Sequence, residues 1–305
     1  MIPLALLVPC YNASKYVNTF IIHLKSLNFS FAEIIFYDDA STDNTSILLE
    51  SAGYKVIKGA LNQGPGYARN RLAEAAASQY IHFHDIDDEF HPDFFDEFIS
   101  SITKNPLQDV YVADAEWINS SNRNLIIKFE YKNEAYLIND KQYIINHPMG
   151  IINVVYKKVV FDEVGGFNEK YKCWEDTDLH VRMMLKGYKF YFLERVLAYS
   201  LRHEEGISKN QQYCWQCRLL MLISYYDTDH SLAGYLLPQL RICAKELFIH
   251  HDINSCREAI KFINTLGHSA IGTQSRYVKI LKLFNIPDFF IIRLQHQYAQ
   301  MRKRY

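Results

Sequence analysis

The segment His84-Asp85-Ile86-Asp87-Asp88 places three carboxylates within four residues. Alternate carboxylates just past a strand can converge on one hard cation. Magnesium or manganese takes oxygen ligands and usually keeps phosphate oxygens as further partners. A solvated acidic turn is the plain alternative for an isolated D-x-D pair. Two features favour a metal: Tyr80-Ile-His-Phe83 just upstream has the pattern of a buried strand, and crowded like charges cost energy unless something positive neutralises them. A second cluster, Trp174-Glu175-Asp176-Thr177-Asp178-Leu179, opens a helical pattern continued by Met183 and Leu185. Acids at a helix start can simply complement the helix dipole. A carboxylate beside an acceptor hydroxyl can instead act as general base. The residues alone leave both readings open.

Two further segments carry polar groups at strand or helix ends. Tyr37-Asp38-Asp39-Ala40-Ser41-Thr42-Asp43-Asn44-Thr45 reads as a strand end followed by a turn, with Ser41 or Thr42 expected to cap the next helix. Asp38 and Asp39 then stand where a nucleoside base or a ribose hydroxyl could be met. Asn62-Gln63-Gly64-Pro65-Gly66-Tyr67-Ala68-Arg69-Asn70 is glycine-rich and opens a helix. Helix N-termini favour anions, and Arg69 could face a phosphate there. The segment lacks the G-x-x-x-x-G-K-[ST] pattern, which excludes a P-loop.

The elements that must position these groups alternate. Leu4–Val8 is a short continuous apolar run that suits a strand buried on both faces. Residues 14–28 show helical period through Val17, Phe20, Ile21, Leu24 and Leu27. Ile34–Tyr37, Lys55–Ile57, Tyr80–Phe83 and Val110–Ala113 read as strands, and residues 66–77 as a helix. This alternation predicts an α/β fold with a mostly parallel sheet and helices on both faces. In such sheets ligands lie beyond the carboxyl ends of the strands. The polar clusters occupy those ends, so the pattern points to one shared site. From residue 207 strand signals thin out, and Leu236, Leu237, Leu240, Cys243 and Leu247 recur at helical spacing. The expected organisation is a catalytic domain over residues 1–206 and three to five helices over 207–305.

Bulk composition narrows the class. The 305 residues are 49% hydrophobic and 22% charged with a net charge of −1, a globular profile that gives nucleic acid no electrostatic footprint. No secretory leader and no run of 18 apolar residues is visible. The six cysteines are scattered, as expected of reduced thiols in the cytoplasm. Cys214-Trp-Gln-Cys217 has C-x-x-C spacing, but it lies in a helical pattern with no second pair nearby and reads as packing.

Taken in order, four patches resemble family 2 of the inverting glycosyltransferases with the GT-A fold. They are Pro9-Cys-Tyr-Asn12, Asp38-Asp-Ala-Ser-Thr-Asp43, Asp85-Ile-Asp-Asp88, and Gly165-Gly-Phe167 followed by Glu175-Asp176. The segment Asn62–Asn70 also looks like the family's stretch between the second and third patches. The likeness spans residues 3–208 and omits the helical tail. It implies a Rossmann-like mixed sheet and a set of roles. Pro9 and Tyr11 would line the base pocket, with Tyr11 stacking, and Asp39 would hydrogen-bond the base, usually uracil. Arg69 would sit near the base or diphosphate, and Asp85 would face the ribose or donor sugar. Asp87 and Asp88 would bind Mn2+ or Mg2+, with His203 closing over the metal, and Asp176 would be the catalytic base. Met149, Gly150, Trp174 and Glu175 fall in loops expected to meet donor sugar or acceptor. His84 and Cys10 depart from the family's usual residues without removing a required group.

The implied reaction is a single displacement at the anomeric carbon. A UDP-sugar is the expected donor, and a glycan or lipid-linked hydroxyl in bacterial surface polysaccharide synthesis is the expected acceptor. A sugar nucleotidyltransferase would carry a Gly-rich basic loop after the first strand, where Val8-Pro-Cys-Tyr-Asn12 stands instead. A non-catalytic nucleotide-sugar-binding module would have lost an acid that is present here. The aromatic and basic residues of the tail (Phe289, Phe290, Arg293, Arg302, Lys303, Arg304) are compatible with peripheral contact at the inner membrane face or with a homodimer.

Overall fold

The computed structural model describes residues 2–27, 29–131, 141–202, 210–271 and 287–302. The chain divides into two compact units, Met1–Glu205 and Gly206–Tyr305.

The first unit is organised on one nine-stranded sheet. Strand β1 (Leu4–Cys10) is buried almost throughout, as its unbroken apolar run requires. It pairs in parallel with β2 (Glu33–Asp38) on one side and β4 (Tyr80–Phe83) on the other, and β3 (Lys55–Lys58) extends the parallel half beyond β2. Helix α1 (Ser14–Ser26) turns Val17, Phe20, Ile21 and Leu24 inward, the stripe that the 3.6-residue period picks out. Helix α2 (Thr45–Ser51) follows β2. Helix α3 (Pro65–Ala75) starts with proline at its first position after Gly64 in a positive-φ conformation, a pairing suited to a sharp helix entry.

The other half of the sheet is mixed. Strand β8 (Val154–Lys157) runs antiparallel to β4 and to β6 (Val110–Asn119), and β6 runs parallel to β9 (Phe190–Arg202). Short β5 (Glu89–Phe90) pairs with β9, and β7 (Leu125–Phe129) with β6. The order is β3-β2-β1-β4-β8-β6-β9-β5, with β7 beside β6. Strand β6 runs well beyond the expected Val110–Ala113, and β5, β7, β8 and β9 have no counterpart in the strand reading. Helices α4 (Phe94–Lys104), α5 (Lys141–Asn146), α6 (Lys158–Glu163) and α7 (Glu175–Leu185) complete the unit.

In the second unit the described residues form α8 (Gln211–Thr228), a 3-10 turn at His230–Leu232, α9 (Ala233–Ile249), α10 (Ile253–Thr265) and α11 (Asp288–Arg302). Asn210 caps α8 by accepting the Tyr213 amide at 3.1 Å, and Asp252 caps α10 by accepting the Ser255 amide at 3.1 Å. Leu236, Leu240, Cys243 and Leu247 form a buried seam on α9, and Cys214 and Cys217 are buried and joined in no disulfide.

Candidate active site

At the carboxyl ends of β1 and β2 the chain is held by a dense set of hydrogen bonds. The Asn12 amide donates to Ser41 Oγ at 2.9 Å, and Asn12 Oδ1 accepts the Thr42 amide at 2.8 Å. Asp43 accepts the Ser14 amide at 3.0 Å, and the Thr45 amide and hydroxyl at 3.0 and 2.5 Å. Burial works against that charge, but the bonds from Thr45 and Ser14 prevail and hold the Asp43 carboxyl down at about 2. The helix-cap expectation is corrected here: neither Ser41 nor Thr42 caps α2, because Asp43 takes the Thr45 amide and the two hydroxyls face the β1 loop. Asp39 is buried and accepts the amides of Gln63 and Gly64 at 3.0 and 2.8 Å. It thereby ties β2 to the start of α3, with lone pairs left for another donor. Tyr11 stands at this rim with 51% of its surface exposed, and Pro9 lies inside β1 opposite Tyr37.

Across the sheet, beyond β4, the balance is reversed. Arg69 is 4% exposed and lies between two acids, its Nη2 on Asp85 Oδ1 at 2.8 Å and its Nη1 on Glu175 Oε1 at 2.7 Å. One guanidinium thus couples the end of β4 to the start of α7. The ion pairs hold its own pKa above the usual value despite burial. Burial raises Glu175 to about 7, with Arg69 pulling it down and neighbouring Asp176 pushing it up. Asp176 is likewise raised, first by burial and also by Asp85, against the Thr177 amide that donates to its Oδ1 at 2.7 Å. Trp174, just ahead of α7, has a φ of 66°, a left-handed conformation unusual for a bulky residue. Upstream, Gly166 has a φ of 64°, and a side chain there would meet Asn70 Oδ1 and the Phe161 ring. Only glycine suits that turn, which Asn70 closes by bonding to the backbone of Phe167.

Asp88 is buried, and its Oδ1 accepts the Leu201 amide of β9 at 2.7 Å. Burial pushes its carboxyl well above the ordinary range, and the charges of Asp87 and Asp85 push it further. Such a set, all hard oxygen donors and short of positive charge, is chemically suited to a divalent cation. No group of three His, Cys, Asp or Glu side chains among the described residues converges as a ready cage. Magnesium-type sites that bind phosphate need only one or two carboxylates from the protein, so the donor set fits. His203 lies outside the described residues.

Several residues at the site carry no motif signal. The Tyr131 amide donates to Asp114 Oδ1 at 2.7 Å, and its buried hydroxyl is pushed upward, by burial first and next by Asp176. The Tyr156 hydroxyl lies 2.6 Å from His180 Nε2, and burial lowers His180 to about 3. Met149 is buried, while a side chain at Gly150 would meet Asn153 Oδ1 at 3.3 Å. These groups come together only because β8, α7 and the chain after β7 meet in space. His84 is fully buried, stacked on Phe90 with ring centroids 3.6 Å apart and 3.4 Å from His82. Burial holds both imidazoles below their usual pKa, so they are neutral packing groups behind the acidic run. A cavity of about 820 Å³ lies among Asn70, Arg71, Phe161, Gly166, Glu169 and Arg182, and none of the strand-end acids lines it.

Comparison with known proteins bears on this arrangement. The profile described as "Glycosyl transferase family 2" matches residues 5–165, and one described as "N-terminal domain of galactosyltransferase" matches residues 140–204. A processive diacylglycerol beta-glycosyltransferase of Mycoplasma genitalium is 24% identical over 79% of this chain and 77% of its own. Among solved structures, S. aureus TarS residues 1–349 in complex with UDP-GlcNAc superposes with a TM-score of 0.61 at 21% identity, covering 82% of this chain and 72% of that 1–349 segment. The mannosyltransferase PcManGT from Pyrobaculum calidifontis, in complex with GDP-Man and Mn2+, gives 0.59 at 12% identity over 92% and 79%. The sheet with its flanking helices is the GT-A fold.

Proposed function

The chain belongs to glycosyl transferase family 2, and from that premise we propose that it transfers a sugar from a UDP-sugar to a hydroxyl of a glycan or lipid-linked acceptor, with inversion. The observation that carries this reading is the ion-paired line Asp85–Arg69–Glu175, which puts the helix bearing Asp176 against the end of β4. Pro9, Tyr11 and Asp39 form the base side, with the Tyr11 ring exposed for stacking. UDP is favoured over other nucleotides by the likeness to TarS, whose structure holds UDP-GlcNAc. Asp85 faces the ribose or sugar with the oxygen that Arg69 leaves open. Asp87 and Asp88 would hold Mn2+ or Mg2+, and His203 is proposed to join them. When bound, such a cation supplies Lewis-acid stabilisation of the departing diphosphate.

Asp176 is the proposed base. The Thr177 amide fixes its Oδ1, leaving Oδ2 to take the acceptor proton as the new glycosidic bond forms. Burial raises its pKa, which makes its carboxylate a stronger base than an ordinary one. Met149, Gly150, Trp174 and Glu175 shape the neighbouring sugar and acceptor space, the buried Met149 by supporting its wall. Cell-surface polysaccharide or glycolipid synthesis on the cytoplasmic side is the fitting context. The test is a screen of nucleotide sugars with manganese, read by nucleotide diphosphate release. Turnover of UDP-sugars alone is expected, and release from GDP- or dTDP-sugars only would overturn the donor.

A further inference from the structure

The two units carry opposite charge. Residues 1–205 hold 28 Asp and Glu against 20 Lys and Arg, while residues 206–305 hold 13 Lys and Arg against 6 Asp and Glu. A basic excess of this size in a helical unit is an electrostatic footprint for an anionic partner. The structure shows where part of it gathers. A cavity of about 430 Å³ between α10 and α11 is lined by Arg257, Ile260, Lys261, Asn264, Thr265 and Phe289, two cations with apolar side chains and no carboxylate. Residues 257, 260, 261 and 264 share one face of α10, as their spacing requires. The Arg257 guanidinium lies over the Phe289 ring at 5.1 Å, which fixes it at the mouth. Beside it, Phe290, Arg293, Leu294 and Gln297 line an outward face of α11, with Phe290 50% and Leu294 37% exposed.

We propose that this face of α10 and α11 docks the enzyme on an anionic lipid bilayer. Cations that reach headgroup phosphates beside aromatic and aliphatic side chains that enter the interface are the two parts of an interfacial helix. The acidic unit of a second copy is the competing occupant. Many of its acids are already engaged within their own unit, Asp39 and Asp43 by backbone amides and Asp85 and Glu175 by Arg69. Exposed Phe290 and Leu294 also have no use in a purely ionic contact.

The test uses the full chain in a sedimentation assay with phosphatidylcholine vesicles, with and without phosphatidylglycerol. The protein is expected to pellet only with the anionic vesicles and to be released as salt rises to about 0.5 M. The double variant Arg257→Glu/Lys261→Glu is expected to weaken binding roughly tenfold or more, since each juxtamembrane cation is worth about 1 kcal/mol. Phe290→Ser/Leu294→Ser is expected to weaken it while leaving the salt dependence. All these side chains lie at the surface, and UDP release in detergent is expected to match the parent protein. Equal pelleting with neutral vesicles, or undiminished binding by both variants, would overturn the docking face. So would a salt-sensitive dimer seen by light scattering without vesicles and lost in the charge-reversal variant. Failure of UDP release by the parent protein would strike the donor reading and leave this one standing.

Discussion

The two ends of the site treat their carboxylates in opposite ways. On the β1–β2 side Asp43 accepts hydrogen bonds from the amides and side chains of Thr45 and Ser14 and is held down at about 2. On the β4–α7 side burial and crowding push Asp88, Asp176 and Glu175 up, the last to about 7. Both groups occupy loops just past strands or at a helix start, so local sequence does not distinguish them. The difference is where the compensating groups come from. Hydroxyls and backbone amides of neighbouring segments satisfy the first side, and that charge is spent on structure. The second side has Arg69 for three nearby acids and is poised to take up a cation or a proton. Structure-building acids should therefore matter to stability, and chemistry-bearing acids to rate.

Metal removal tests the second side most strongly. Chelation is expected to abolish transfer, and manganese or magnesium to restore it, because Asp87 and Asp88 crowd like charges and burial already pushes the Asp88 carboxyl up. Full turnover in a chelator would break the contrast at its centre. Next comes Asp176→Asn, expected to lower the transfer rate about 10²- to 10⁴-fold while donor affinity changes little. Near-parental transfer by this variant, measured by nucleotide release with and without acceptor, would remove Asp176 as the base.

Much of the parallel half of the fold was legible in the chain itself. Leu4–Val8, Ile34–Tyr37 and Tyr80–Phe83 are continuous apolar runs closed by polar residues, and each became a strand with that cluster at its end. The mixed half was not, for physical reasons. Val154–Val155 is too short a run to distinguish from a turn of helix, and β9 includes Glu194 and Arg195 at a place where its register with β6 shifts. The candidate acids Asp39, Asp85 and Asp176 could be singled out because their motifs are local. The pairing of Arg69 with Glu175 could not, since 106 residues separate them and only the fold brings them together. Likewise the Asp43 bonds to Ser14 and Thr45 replaced a cap that local propensity assigned to Ser41 or Thr42.

That long-range pair offers a sharper test. Arg69 lowers both Glu175 and Asp176, so Arg69→Gln should raise both further. The acid limb of the pH–rate profile is expected to move to higher pH, with activity lost more at pH 7 than at pH 9. The two carboxyls will titrate as a coupled pair. Breaking a buried pair also costs about 3–5 kcal/mol of stability at neutral pH, so the profile is read well below the melting temperature. An unchanged acid limb would mean that Arg69 does not set the protonation of the pair.

The smallest effect on chemistry is expected on the other side. Asp43→Ala removes the acceptor of the hydrogen bonds from Ser14 and Thr45, and the amide of Ser14 loses its partner, a cost of about 1–3 kcal/mol. Because the folded-state pKa lies below the ordinary value of about 4, the charged form is the stabilising one. Its contribution is complete above about pH 4 and disappears as the pH falls through about 2. Urea unfolding of parent and variant should therefore differ most at neutral pH and converge toward pH 2. Transfer at low temperature should stay within about twofold of the parent, because the bonds Asn12–Ser41 and Asn12–Thr42 still join the same two loops and additivity is lost mainly among direct neighbours. If Asp43→Ala instead stopped transfer with its stability intact, the charge of Asp43 would belong to the chemistry, and the division between the two ends of the sheet would fail.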